Sequence, residues 1–65
     1  MILQKHTYLV LVEKCLIDDY GNLRDYIYSY SRENDARDHC FVARSMGYTV
    51  KLFYGNYEYF EQING

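Results

Sequence analysis

One stretch constrains this chain more than any other. From Ser31 to Gly47 it reads Ser-Arg-Glu-Asn-Asp-Ala-Arg-Asp-His-Cys-Phe-Val-Ala-Arg-Ser-Met-Gly, the only segment with a helical signature. Ser31 is placed to act as N-cap, because its hydroxyl can accept from the free amides of a first turn. Glu33 and Asp35 follow where the positive end of a helix dipole favours carboxylates. Gly47 can adopt the left-handed conformation that ends a helix, and a β-branched, aromatic run begins immediately after it. At 100° per residue, Ala36, His39, Cys40, Ala43 and Met46 fall in one apolar sector. The small residues at 36, 40 and 43 allow a close approach to a sheet. Phe41 points the other way, between Arg37 and Arg44.

Both flanks carry strand patterns. Residues 6 to 17 contain an unbroken apolar run from Tyr8 to Val12, which predicts a strand buried on both faces and central in its sheet. Asp18 to Asn22 form a turn, and Leu23 to Tyr30 alternate as a second strand. Charge sets an expected register. A three-residue loop, Tyr20 to Asn22, pairs Asp18 with Arg24 and Cys15 with Ile27, whereas a two-residue loop would oppose Asp18 to Asp25. Leu9, Leu11, Cys15, Ile17 and Ile27 then share one face, and Val12, Lys14, Leu16, Tyr26, Tyr28 and Tyr30 the other. Beyond the helix, Tyr48 to Tyr54 and Tyr57 to Ile63 read as a hairpin turning at Gly55-Asn56. Its expected pairs are Tyr54 with Tyr57, Phe53 with Glu58, Leu52 with Tyr59 and Lys51 with Phe60. The fold class is α+β: ββαββ, one helix on a four-stranded, mostly antiparallel sheet of order 2-1-3-4, reached by a right-handed crossover.

Length makes 1–65 a single domain near the lower limit for folding without staples. Ordering it costs about 100 kcal/mol, so apolar burial must be efficient. Nine tyrosines, three phenylalanines and no tryptophan make the aromatic surface largely amphipathic. Not all of it can be interior. Seven basic and nine acidic residues leave a net charge of −2, too few cations for a broad polyanion-binding face. Acids outnumber bases between Glu13 and Asp38, which points to a cationic partner surface. Met1 leads into a segment too short and polar for an export signal, and no run reaches membrane-spanning length; a cytoplasmic protein with Cys15 and Cys40 as core thiols is expected.

No catalytic set is visible. His39 and Cys40 are sequence neighbours, so on a helix they diverge by 100° and pair poorly. His6, Cys15, His39 and Cys40 lack zinc-ligand spacing, and Asp18, Asp19 and Asp25 lack that of a calcium loop. No metal, cofactor or enzymatic activity is expected. The binding candidates are the acidic first turn with its neighbours (Asp18, Asp19, Tyr20, Asp25, Tyr26, Tyr28 and Tyr30) and, alternatively, Arg37, Phe41 and Arg44 on the outer helix face. Tyrosine suits protein interfaces, and a bare tyrosine ladder would also suit base stacking.

The segment Tyr30 to Phe53, with its strand, helix of inner alanines, glycine and second strand, resembles small phage-encoded proteins. Some anti-CRISPR proteins are similar in size, acidity and strand–helix–strand build. The resemblance implies a non-enzymatic inhibitor occupying a basic surface of a host effector complex and blocking its nucleic-acid interaction in the host cytoplasm. The alternatives are a nucleic-acid-binding regulator using the tyrosine face and a self-assembling structural protein. A homodimer hiding Tyr26, Tyr28, Tyr30, Phe53 and Phe60 is a further expectation.

Overall fold

The computed structural model describes residues 6–56 and 58–64; the opening segment, where no export signal was read, and Tyr57 lie outside it. Among the described residues the order is β1 (Thr7–Ile17), β2 (Leu23–Tyr30), α1 (Glu33–Ser45), β3 (Val50–Asn56) and β4 (Tyr59–Ile63). The strands form one sheet of order β2-β1-β3-β4 in which every neighbouring pair is antiparallel. The α+β reading and the central place of β1 hold.

The helix starts one residue later than a Ser31 cap requires. Arg32 is the N-cap, extended at φ −112° and ψ 135°, and no side chain caps the first turn. Its carbonyl accepts from the Ala36 N–H at 3.2 Å, leaving Ser31 outside the helix. Glu33 and Asp35 do occupy the first turn, so carboxylates offset the exposed amides in place of a hydroxyl. The other end is as read. Gly47 sits at φ 97°, donating to the Arg44 carbonyl at 2.9 Å, while Tyr48 donates to Ala43 at 3.1 Å. These two bonds are the Schellman pair, and the left-handed φ is why glycine stands there.

Ala36, Cys40 and Ala43 are buried against Val10 and Val12 of β1 and Val50 and Leu52 of β3. Small residues on the helix let branched side chains on the sheet fill the gap. Met46 departs from the expectation: as the C-cap it lies past the buried stripe and is 68% exposed.

The first hairpin differs in register, for a local reason. Asp18 gathers the turn onto its own carboxylate, accepting from the N–H groups of Tyr20 and Asn22, each at 2.9 Å. The loop is therefore Asp18 to Asn22, and the pairs are Ile17–Leu23 and Leu16–Arg24, not Asp18–Arg24. The ion pair used to argue the register still forms, since Arg24 Nε donates to Asp18 at 2.9 Å. A bulge then absorbs the difference. Between Val12–Tyr26 and Leu16–Arg24, β1 advances four residues against two on β2. Ile27 consequently faces Leu11, not Cys15, which turns toward the core with its thiol donating to the Val12 carbonyl at 3.3 Å.

Lys14 carries the strain of that bulge at φ 52°, its N–H held by Asp25 Oδ1 at 2.8 Å. A left-handed backbone costs an L-residue roughly 1–2 kcal/mol that glycine avoids. Glycine also loses more entropy on folding, so Lys14→Gly should stabilise by about 0.5–1 kcal/mol, a rise of roughly 4 °C in Tm. Calorimetry on the purified chain checks it.

The second hairpin is offset by four residues from expectation. Asn56 pairs with Tyr59, Gly55 with Phe60, Tyr54 with Glu61, Phe53 with Gln62 and Leu52 with Ile63. Gly55-Asn56 is the end of β3 and not its turn. Asn56 closes the loop from its first position, its side-chain oxygen accepting the Glu58 N–H at 2.9 Å. At Gly55 a Cβ would collide with the Tyr59 carbonyl, so the missing side chain serves close strand approach.

Both cysteines are free. Cys40 is fully buried, and burial pushes its thiol above the ordinary range; Cys15 is half-buried. Native-state alkylation should label Cys15 first and reach Cys40 only through unfolding, at roughly a hundredth of the rate or less. Peptide mapping of a short labelling pulse reads the ratio.

Candidate partner-binding surfaces

The helix covers one face of the sheet, and the strand pairings say which. Val10 lies opposite Tyr28, Val12 opposite Tyr26 and Tyr8 opposite Tyr30, so the tyrosines share the side of the buried valines. Tyr30 Oη is hydrogen-bonded to His39 Nδ1 at 2.6 Å, and the Tyr28 ring meets the His39 ring edge-on at 4.3 Å. Burial, with Tyr28, Asp35 and Cys40 nearby, raises the Tyr30 phenol above its ordinary value and keeps it neutral. Tyr28 and Tyr30 are thus packing residues beneath the helix margin, while Tyr26, its ring tilted against Tyr28 at 4.7 Å, stays half open. The bare ladder required for base stacking is not present on this face. Phe53 and Phe60, expected beside the tyrosines, lie on the opposite side, because Phe53 pairs with Leu9 and Phe60 with Gly55.

The acidic turn stands apart from this packing. β3 pairs with β1 only as far as Val12, and the bulge follows at once. Beyond it, Leu16 to Leu23 form a two-stranded arm with neither β3 nor the helix over it. The molecule accordingly measures 46 Å in its longest direction but only 15 Å in its shortest. Tyr20 at the tip is 90% exposed, Ile17 is 71% exposed, and Leu16 and Leu23 are open as well. An isolated ribbon of this kind is marginal in water. Here it is fixed at both ends, by the Lys14–Asp25 bond at the bulge and by the Asp18 network at the tip.

Of the candidate residues, Asp18, Asp19, Tyr20 and Asp25 come together on this arm, with Tyr26 at its base. Their roles divide. Asp18 and Asp25 hold the arm's shape, whereas Asp19 and Tyr20 face outward. Ile17 and Leu23, directly paired, share one side of the arm and Leu16 lies on the other; all three read in sequence as ordinary strand residues. Only the bulge distinguishes them, and nothing in the local pattern announces it.

The Asn22 N–H, and after it Arg24 and the Tyr20 N–H, hold the Asp18 carboxyl below the usual aspartate range. A lowered carboxyl pKa contributes stability that is complete above the ordinary value and vanishes as pH falls through the lowered one. The arm should therefore keep its shape at neutral and mildly acidic pH and loosen only in stronger acid. Amide shifts of Tyr20 and Asn22 followed through an acid titration report this directly.

On the outer helix face, Phe41 is 74% exposed in a shallow depression with Arg37, Arg44 and Ser45. Both arginines have structural work. Arg37 bridges Glu33 at 2.6 Å and the Asn64 carbonyl at 2.7 Å, and Arg44 donates to the Val50 carbonyl at 3.0 Å. Arg44 ties the helix to β3, and Arg37 ties it to the residue that follows β4. Among the described residues no three His, Cys, Asp or Glu side chains gather as a metal set, and no helix is long and apolar enough to cross a membrane.

The fold and its arm define a small ββαββ domain with a projecting hairpin. Comparison with protein-family models, curated proteins and solved structures finds no match.

Proposed function

We propose that this chain is a non-enzymatic protein-binding inhibitor that inserts its hairpin arm into a basic, partly apolar surface of another protein. One observation carries the reading: an arm tied by hydrogen bonds at its base and its tip, yet with Ile17, Tyr20 and Leu23 open to water. A preordered apolar tip loses little entropy on binding. Carboxylates beside it add steering toward a cationic surface. Tyrosine at the centre of such a tip supplies area and a hydrogen bond together.

In its finer form the proposal makes the partner a nucleic-acid-handling complex, such as a CRISPR effector, whose groove holds guide or target strands. An arm carrying Asp19 and Tyr20 would compete there with phosphates. Direct nucleic-acid binding by the chain itself is less well supported, since the tyrosine row lies under the helix margin and the arm is acidic.

Site-specific photo-crosslinking tests the reading. A benzophenone side chain at position 20 should capture a basic protein from host lysate, and one at position 41 should not. The captured protein, once purified, should lose nucleic acid when the intact chain is added. Capture from position 41 alone would move the site to the helix and reject the arm.

A further inference from the structure

We propose that the uncovered face of the sheet closes against the same face of a second copy of this chain. The inference is independent of the arm, which points away from that face's centre. The strand pairings place Ile27, Leu11, Leu9, Phe53 and Phe60 as a diagonal stripe running from β2 to β4. These five residues line one shallow apolar hollow. Nothing in the chain's described residues covers it.

The helix-side core shows why a cover matters. Its fully buried members are Val10, Val12, Val50 and Leu52 against two alanines and a cysteine, and the rings packed on them, Tyr8, Tyr28, Tyr30 and Tyr48, are only partly buried. Each of the three phenylalanines lies elsewhere: two on the bare stripe and one on the outer helix face. A domain of this size with so slight a core is usually completed by metal, disulfide or association. The described cysteines are free, and no metal set is present among the described residues.

Charge selects the occupant. The stripe shares its face with one base, Lys51, opposite Leu11, and with two acids at its margin, Asp25, two residues from Ile27, and Glu13, two residues from Leu11. The remaining neighbours, Thr7, Ser29 and Gln62, are neutral. A second copy can therefore set its Lys51 against Asp25 or Glu13 of this face, whereas the arm from Leu16 to Leu23 carries acids and no base. Size is adequate too. Four strands about 4.8 Å apart and roughly 20 Å long present about 400 Å² of flat sheet per copy. With side-chain relief, two such faces bury on the order of 1,200 Å², the lower end of specific interfaces. The product is a two-sheet sandwich with the helices outside.

Sedimentation equilibrium of the intact chain tests this. The wild type should show a species of twice 7.8 kDa at micromolar concentration. Ile27→Arg should raise the dimer dissociation constant by at least ~30-fold, because it replaces an apolar contact of the stripe with a charge that must be desolvated. Ile27 is already 57% exposed, so the substitution leaves the helix-side core intact, and an unchanged far-ultraviolet spectrum verifies that. Asp19→Lys on the arm should leave the dimer unchanged. Isotope-filtered contacts between Leu9 methyls and the Phe53 ring of the other copy should appear in the wild type. A wild-type monomer at hundreds of micromolar, or a dimer insensitive to Ile27→Arg and lacking those contacts, overturns the proposal and frees the face for a different protein.

Discussion

A chain carrying Ala43→Asp will not hold its fold at 25 °C. Ala43 is buried on the sheet side of the helix, beside Val50 and Leu52, in a core that holds no buried charged side chain to pair with a new carboxylate. Three penalties coincide. Burying an unpaired carboxylate costs several kcal/mol, even when the group protonates to escape its charge. The larger side chain pushes the helix off the sheet at a position that only a methyl group fits. A negative charge in the last helical turns also opposes the dipole. Together they exceed the roughly 3–10 kcal/mol that a domain of this length has in total. Circular dichroism should show the helix and the cooperative melt both lost. Val42→Asp is the matched comparison. Val42 is half exposed, and the new acid meets Asp38 one turn away, so a loss under about 1 kcal/mol is expected.

The second large effect concerns the arm. With a purified partner, Tyr20→Ala should weaken binding by about 30-fold or more, chiefly through faster dissociation, because desolvated aromatic anchors govern residence time. Asp19→Lys should instead slow association and flatten the salt dependence, since Asp19 makes no described intramolecular bond and acts through its field. Asp18→Lys would be a poor probe of the same idea. Its carboxylate holds the Tyr20 and Asn22 amides and Arg24, so the substitution would dismantle the tip along with its charge. Surface plasmon resonance at two ionic strengths separates the two rate effects. Phe41→Ala on the opposite side should change neither rate; a large loss there, with unchanged binding in Asp19→Lys and Tyr20→Ala, would place the site on Arg37, Phe41 and Arg44.

The sequence showed the elements and their order because both signals are local. Alanines at helical spacing before a glycine and a valine-rich run in β1 need no knowledge of distant residues. Register was harder. Asp18 and Arg24 do pair, yet charge alone could not reveal that Asp18 would also hold two backbone amides and lengthen the loop. Gly55-Asn56 had the composition of a turn, but Asn56 closes a turn that begins with it, and Gly55 is needed for close strand approach. The face covered by the helix was least legible. Alternation and the expected pairing put Val12 of β1 on the tyrosine side, as found, but nothing local says that the helix covers that side. Pairings between strands, in turn, moved Phe53 and Phe60 away from the tyrosines. The arm residues were found by their acidity, while its exposed Ile17 and Leu23 were hidden by the unannounced bulge.

Which face of the sheet the helix covers decides both proposed surfaces, and nuclear Overhauser contacts in the free protein read it directly. The Tyr28 and Tyr30 rings should show strong contacts to His39, and the Val10 and Leu52 methyls should reach Ala36, Cys40 or Ala43. The Phe53 and Phe60 rings should contact Leu9, Leu11 and Ile27 and show none to the helix. Contacts from either phenylalanine ring to Ala36, Cys40 or Ala43, with the tyrosine rings free of His39, would invert the sheet and contradict the assignment of both surfaces.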